Sequence, residues 1–323
     1  MDVSYIIAFA VTFVVTVVLA RIFIPVLKSV KMGQKILDIG PRWHKGKEGT
    51  PTMGGLFFIA ASLLPVIAGA IWRKNPALVI HYLFVLFNGM IGFVDDYVKF
   101  FKKENAGLSA IQKLVLQFAV TIAYVVALVL SHDMSTVVSL PFTTYTFDLG
   151  IFYYIILVVG IVFTVNSVNL TDGIDGLCSS VTAVVMVFFS VLAIKSNNID
   201  AGIMSTTMLG GSLGFLVYNF HPAKVFMGDT GSLFMGGMVC AIALMLDIPI
   251  ILFFVGIIYF VESFSVMIQV TSYKLTKKRV FKMTPIHHHF EMCGWNEIKI
   301  VLVFTLVAAV FSALGCFGFI GIM

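Results

Sequence analysis

Two adjacent aspartates, Asp95 and Asp96, follow directly on an apolar run from Leu78 to Val94. Burying two anions in hydrocarbon costs several kcal/mol on even the mildest scales. The pair therefore belongs at a membrane face, or in a polar cavity beside it. Paired carboxylate oxygens in such a place suit a hard divalent cation. Lys99 returns to the face of Asp95 or Asp96 at helical spacing, and the plain alternative is a solvated helix end with an ion pair.

Three further stretches carry groups of the same kind. Asn169, Asp172 and Asp175 recur every three residues within Asn166–Gly176, so on a helical turn they share one face. Gly173 and Gly176 let backbone approach a ligand there. An EF-hand is excluded, because the distal Glu of that loop is missing. Asp229 lies in Phe226-Met227-Gly228-Asp229-Thr230-Gly231-Ser232. Thr230, Ser232 or Asp229 itself is suited to cap the following helix, whose amide end favours an anion such as phosphate. Finally, His287, His288 and His289 stand in a row before Phe290-Glu291. Three consecutive residues of a helix cannot face one site, and no Cys or His partner has zinc spacing. Contacts to phosphate or nucleobase fit them better.

The elements that must position these groups are membrane spans. The chain has 323 residues, 59% of them apolar and only 11% charged, with a mean hydropathy of +1.03. Soluble domains carry about 25% charged residues, and no polar stretch here is long enough to bury a core. Apolar runs near the length of a helical span recur throughout, while the short alternating strands of a barrel are absent. The expected fold is an all-α integral membrane protein, one polytopic domain over 1–323. Its ten spans fall at 4–27, 52–72, 77–94, 112–131, 150–167, 177–194, 201–217, 232–247, 249–271 and 298–320. The first reads as a retained span rather than a signal peptide. The segment 132–148 suits a small hairpin. Cys178, Cys240, Cys293 and Cys316 have no metal or disulfide spacing and read as small packing residues, as does His81.

Orientation follows from the basic residues. Seventeen of the 21 Lys and Arg fall in the connections 28–51, 95–113, 168–176, 218–231 and 272–299, against three in the opposite set. These five connections are therefore expected in the cytoplasm, with both termini outside. They also hold Asp95, Asp96, Asp172, Asp175 and Asp229, so a cleft on the cytoplasmic face is expected. The 28–51 connection, rich in Gly and Lys, reads as a mobile basic loop. The formal net charge of +5 is a signal of topology and of anionic substrates, not of nucleic acid. Glu262 lies inside the ninth span, so it is expected to face the protein interior or a cavity.

Oxygen ligands for a hard cation, of which Mg²⁺ is the default, stand beside Lys and His suited to phosphates. Together they point to phosphoryl transfer at a membrane face. Thr52-Met53-Gly54-Gly55, Asp95-Asp96, Asn169-Leu170-Thr171-Asp172-Gly173-Ile174-Asp175-Gly176, the stretch Phe226–Ser232 and Pro285–Glu291 together resemble the phospho-N-acetylmuramoyl-pentapeptide translocase (MraY) family, over almost the whole chain. That resemblance implies a Mg²⁺-dependent enzyme of a bacterial plasma membrane. Such an enzyme joins UDP-N-acetylmuramoyl-pentapeptide to undecaprenyl phosphate, giving lipid I and UMP in peptidoglycan synthesis, and acts as a homodimer in the lipid bilayer. It implies Asp229 and Asn169 at the metal. It implies Asp95, Asp96, Asp229 and His288 as catalytic groups, the first two as an acid–base pair. Lys47, Lys99, Lys113, Asn169, Asp172, Gly173, Asp175, Asn219, Phe226, Gln269, His287 and His289 are implied at the substrates. Direct attack by the lipid phosphate and a two-step route through an aspartyl intermediate both remain open at this point. So do two other functions, an N-acetylglucosamine-1-phosphate transferase and a secondary transporter built around Glu262.

Overall fold

The computed structural model describes residues 2–30, 47–102, 107–131 and 134–320. The basic loop expected over 28–51 falls largely outside them. Helices run over Val3–Ser29 (α1), Gly55–Arg73 (α2), Pro76–Lys102 (α3) and Ala110–Ser131 (α4). A hairpin of Val137–Ser139 (β1) and Thr146–Asp148 (β2) follows, antiparallel, with Val138 opposite Phe147. Then come Ile151–Thr171 (α5), Leu177–Lys195 (α6), Ile199–Asn219 (α7), Gly228–Met245 (α8), Leu252–Val255 (α9), Ile257–Thr276 (α10), Ile286–Glu291 (α11) and Glu297–Ile320 (α12).

Nine helices among the described residues are long and apolar enough to cross a membrane. A bent pair, Pro249–Val255 with Ile257–Thr276, makes a tenth span if counted as one. The chain is thus a multi-pass helical membrane protein. Its outer helices leave large apolar side chains bare, such as Ile6, Val14 and Phe23 of α1 or Leu302, Leu306 and Val310 of α12, as lipid-facing surfaces require.

Four boundaries differ from those expected. The α3 helix does not stop at Val94 but carries Asp95 and Asp96 within its last turns, where Lys99 Nζ lies 2.6 Å from Asp95 Oδ2 one turn on. The α5 helix likewise runs on to Thr171 and so includes Asn169. The α8 helix begins at Gly228, four residues before the expected start at 232, because a carboxylate from α3 satisfies its first amides. Span nine is not continuous. It breaks at Gly256 by 79°, the kind of residue at which sharp bends occur.

The axle of the bundle is α8, buried continuously from Thr230 to Leu244. Helices α2, α3, α5, α6 and α7 all pack on it. The closest approach is made by α3 at Gly92, where an added Cβ would lie 2.1 Å from Asp229 O and 2.6 Å from Thr230 N. The absence of a side chain there lets α3 rest on the first turn of α8. One turn further along α3 stand Asp95 and Asp96. Elsewhere the core is ordinary: His81 is buried against the Tyr124 hydroxyl, and Cys178, Cys240 and Cys316 are buried packing residues, with Cys293 exposed.

Candidate active site

The helix contact at Gly92 brings Asp95, Asp96 and Asp229 together, with one carboxylate oxygen of each within 4.8 Å of the others. Their roles differ. Asp96, 4% exposed, accepts from Asp229 N at 3.2 Å, Thr230 N at 2.9 Å and Thr230 Oγ1 at 2.7 Å. It is therefore the N-terminal cap of α8, supplied from another helix. Neither Thr230, Ser232 nor Asp229 caps α8, and the amides of Asp229 and Thr230 are not free for phosphate. Asp95 is fully buried and accepts from Leu108 N at 2.8 Å. Asp229 is the open member, its side chain 19% exposed. Lys99 Nζ lies 3.2 Å and Lys113 Nζ 2.7 Å from its Oδ2, and Asn169 Nδ2 donates to its Oδ1 at 2.9 Å. Asn169 also reaches Ser232 Oγ at 2.7 Å, so α5 is tied to the same turn of α8.

A second cluster lies on the other side of the α5–α6 turn. Lys47 Nζ bridges Asp175 Oδ1 at 2.7 Å and Glu297 Oε2 at 2.6 Å. Asp175 Oδ2 accepts from Ala223 N at 2.9 Å and lies 3.1 Å from His221 Nδ1. Glu297 Oε2 accepts from Asp175 N at 3.1 Å. Asn169, Asp172 and Asp175 therefore do not share one face. The helix ends at Thr171, Gly176 turns the backbone with φ +78°, and Asp175 points to Lys47 while Asn169 points to Asp229. Asp172 stands between the clusters, half-buried. Burial, with the charges of Asp229, Asp96 and Asp175 behind it, pushes its carboxyl well above the usual carboxylate range.

A proton held more tightly by the folded chain than by the unfolded one stabilises the fold below the ordinary carboxylate value of 3.8. That contribution is lost as pH rises through the folded-state value. Asp172→Asn should consequently flatten the fall of the thermal midpoint as pH rises from 3.8 to the folded-state value. A midpoint that falls with pH just as in the native chain would contradict the shift.

The remaining residues fall around these two clusters. Phe226 joins the Thr52–Gly55 stretch by backbone bonds, Phe226 N to Pro51 O at 2.8 Å and Gly54 N to Phe226 O at 2.9 Å, which also sets Lys47 nearby. Asn219 is buried, with its amide bonded to Ser179 Oγ and Val225 O. Gln269 clasps the backbone of Val280 and Phe281. The three histidines of α11 point three ways, as a helix requires: His287 inward to Glu262, His288 to Glu291 Oε2 at 2.6 Å, and His289 to Lys282 N and Cys293. His287 reaches the α5–α6 turn at Gly173. The bonds of Asn219, Gln269 and His287 given above all run to groups other than the Asp229 cluster. Glu297 and His221 were given no role from the sequence, and Thr230, expected as a cap of α8, instead donates to the Asp96 carboxylate that caps it. An acid placed immediately before the last apolar run was the available signal for Glu297.

The donor set around Asp229 suits a hard cation. It offers carboxylate and amide oxygens, one partly open, with flexible lysines able to yield to phosphate. The second cluster suits one less, because the side chains of Asp175 and Glu297 are buried, 2% and 7% exposed, where Asp229 is open.

The glycosyl transferase family 4 model matches residues 78–247, and signature 1 of phospho-N-acetylmuramoyl-pentapeptide-transferase matches residues 47–59. The phospho-N-acetylmuramoyl-pentapeptide-transferase of Clostridium botulinum (strain Alaska E43 / Type E3) is 47% identical over 94% of this chain and 93% of its own. The chain belongs to the phospho-N-acetylmuramoyl-pentapeptide-transferase family. Proteins of the same name from Caldanaerobacter subterraneus subsp. tengcongensis and Caldicellulosiruptor bescii are 46% and 44% identical, over 93% and 97% of this chain and of their own. Within this transferase the signature stretch is the one zipped to Phe226, and the family 4 match spans both Asp95-Asp96 and Asp229.

Proposed function

We propose that this chain transfers phospho-N-acetylmuramoyl-pentapeptide from its UDP derivative to undecaprenyl phosphate, giving lipid I and UMP for peptidoglycan synthesis. The observation that carries the reading is the convergence of Asp95, Asp96 and Asp229 from two helices, with Lys99, Lys113 and Asn169 around them. The site lies on the cytoplasmic side of a bacterial plasma membrane, with both termini outside, in keeping with the asymmetry of Lys and Arg. Assembly as a homodimer rests on the family resemblance alone.

Asp229 and Asn169 would hold Mg²⁺, which when bound neutralises charge on the diphosphate and on departing UMP. Lys99 and Lys113, already beside Asp229, take phosphate oxygens. Asp96 keeps the first turn of α8 in place, so that Asp229 projects at a fixed angle. Lys47, Asp175, Phe226 and Asp172 receive the nucleotide. An oxygen of the lipid phosphate attacks the β-phosphorus. The bond from that phosphorus to the bridging oxygen breaks, and its electron pair leaves on UMP. Direct attack is favoured over an aspartyl intermediate because Asp96 is engaged in capping α8 and Asp95 is buried between Leu108 N and Lys99. Each would have to leave those partners to act as a nucleophile. An N-acetylglucosamine substrate and a transport role are the readings that the test below sets aside.

Purified protein given UDP-N-acetylmuramoyl-pentapeptide should release UMP only when both polyprenyl phosphate and Mg²⁺ are present. Release without the lipid acceptor, or with UDP-N-acetylglucosamine in equal measure, would overturn the assignment.

A further inference from the structure

Glu262 and His287 form a buried pair that the transfer chemistry above does not use. Glu262 lies on α10 and His287 on α11, both fully buried. Glu262 Oε2 accepts from His287 N at 3.4 Å and stands 3.0 Å from His287 Nδ1, so one carboxylate oxygen is packed against both the ring and its backbone. Glu262 Oε1 and both ring nitrogens of His287 have no hydrogen-bond partner among the described residues. Burying such groups costs stability, so the fold does not need this pair for its own sake.

The free end of the ring faces Gly173. A Cβ added at Gly173 would lie 2.2 Å from His287 Nε2 and 2.4 Å from Cε1. Gly173 is not among the glycines with positive φ, so its backbone would accept another residue. What forbids a side chain is the imidazole. Nor is there room for the ring to swing aside, since it is fully buried, Glu262 Oε2 stands 3.0 Å from its other edge, and the His288 ring packs on it at 4.2 Å between centroids.

We propose that Glu262 is a positioning residue for the nucleotide side of the site. It holds His287 as a wedge beneath Gly173, and the wedge sets the Asp172–Asp175 turn, whose Asp175 meets Lys47. The inference rests on the reading of that turn as part of the nucleotide pocket. It assigns the bare Cα at 173 to the wedge below rather than to the ligand above.

The two assignments separate in a double-mutant cycle. Gly173→Ala should raise KM for the sugar nucleotide at least about tenfold while kcat changes less than about threefold. In a His287→Ala background the same substitution should cost less than about twofold. Glu262→Gln, which keeps the shape but not the charge, should raise KM less than Glu262→Ala does. An equal cost of Gly173→Ala in both backgrounds, or a fall in kcat in place of the rise in KM, would overturn the inference. The cycle can also be read by thermal midpoint without any substrate. Gly173→Ala should lower the midpoint in the native background and not in the His287→Ala background, and an equal drop in both would likewise overturn it. Absence of turnover in the native chain would strike the proposed function instead, and the thermal cycle would still decide this inference.

Discussion

Asp229→Asn should lower UMP release at least roughly a thousandfold, a loss of about 4 kcal/mol of transition-state stabilisation, with the helices still folded. The substitution keeps the size of the side chain and one oxygen. It removes the charge that Lys99 at 3.2 Å and Lys113 at 2.7 Å converge on and that a divalent cation requires. The first turn of α8 should survive, because its cap comes from Asp96 and not from Asp229. Circular dichroism and the thermal midpoint should therefore stay close to native while turnover vanishes. Turnover within tenfold of native would remove Asp229 from the metal and leave the cluster a structural ion pair. A large drop in midpoint would mean that the residue holds α8 in place, contrary to the capping described above.

Gly92→Ala is expected to damage both stability and activity, although residue 92 offers no side chain to the site. Its Cβ would meet Asp229 O at 2.1 Å and Thr230 N at 2.6 Å, and backbone atoms of a packed helix cannot turn aside. Either α3 moves off α8 or the chain absorbs the clash, at about 1–3 kcal/mol for overpacking of this kind. Separation of the helices would also weaken the three bonds from Asp96 to the α8 terminus, a cap of about 0.5–2 kcal/mol. Displacement of Asp95 and Asp96 from Asp229 by about 1 Å should then reduce turnover on the order of a hundredfold. Gly160→Ala is the control. Nothing lies within 4 Å of the added carbon, and alanine is the better helix former, so the midpoint should hold or rise. Equal tolerance of both substitutions would show that α3 and α8 do not need their close contact.

The helices were legible because hydropathic runs report burial and lipid contact directly, and the hairpin expected over 132–148 appears as β1 and β2. Their ends were less legible. The aspartates after Val94 read as the start of a loop, because a local run cannot show that α8 will receive Asp96 as its cap. The same limit hid Gly92, whose importance comes from a backbone more than a hundred residues away. The spacing of Asn169, Asp172 and Asp175 suggested one helical face, yet the turn at Thr171–Gly176 divides them between Asp229 and Lys47. Gly173 was read as a place for backbone to approach a ligand. In the fold its nearest neighbour on the Cβ side is His287, which no local pattern around 173 could reveal. Glu262 was recognised as inward-facing from hydropathy alone, but its partner lies on a separate short helix.

The central claim is that the cation sits at Asp229 and not at the second acidic cluster, where Lys47 already bridges Asp175 and Glu297. Binding of Mn²⁺ to the purified protein in the presence of UMP, followed by electron paramagnetic resonance, tests this directly. One ion should bind to the native chain, be lost in Asp229→Asn, and remain in Glu297→Gln. Retention in Asp229→Asn with loss in Glu297→Gln would place the metal at the other cluster and contradict the account.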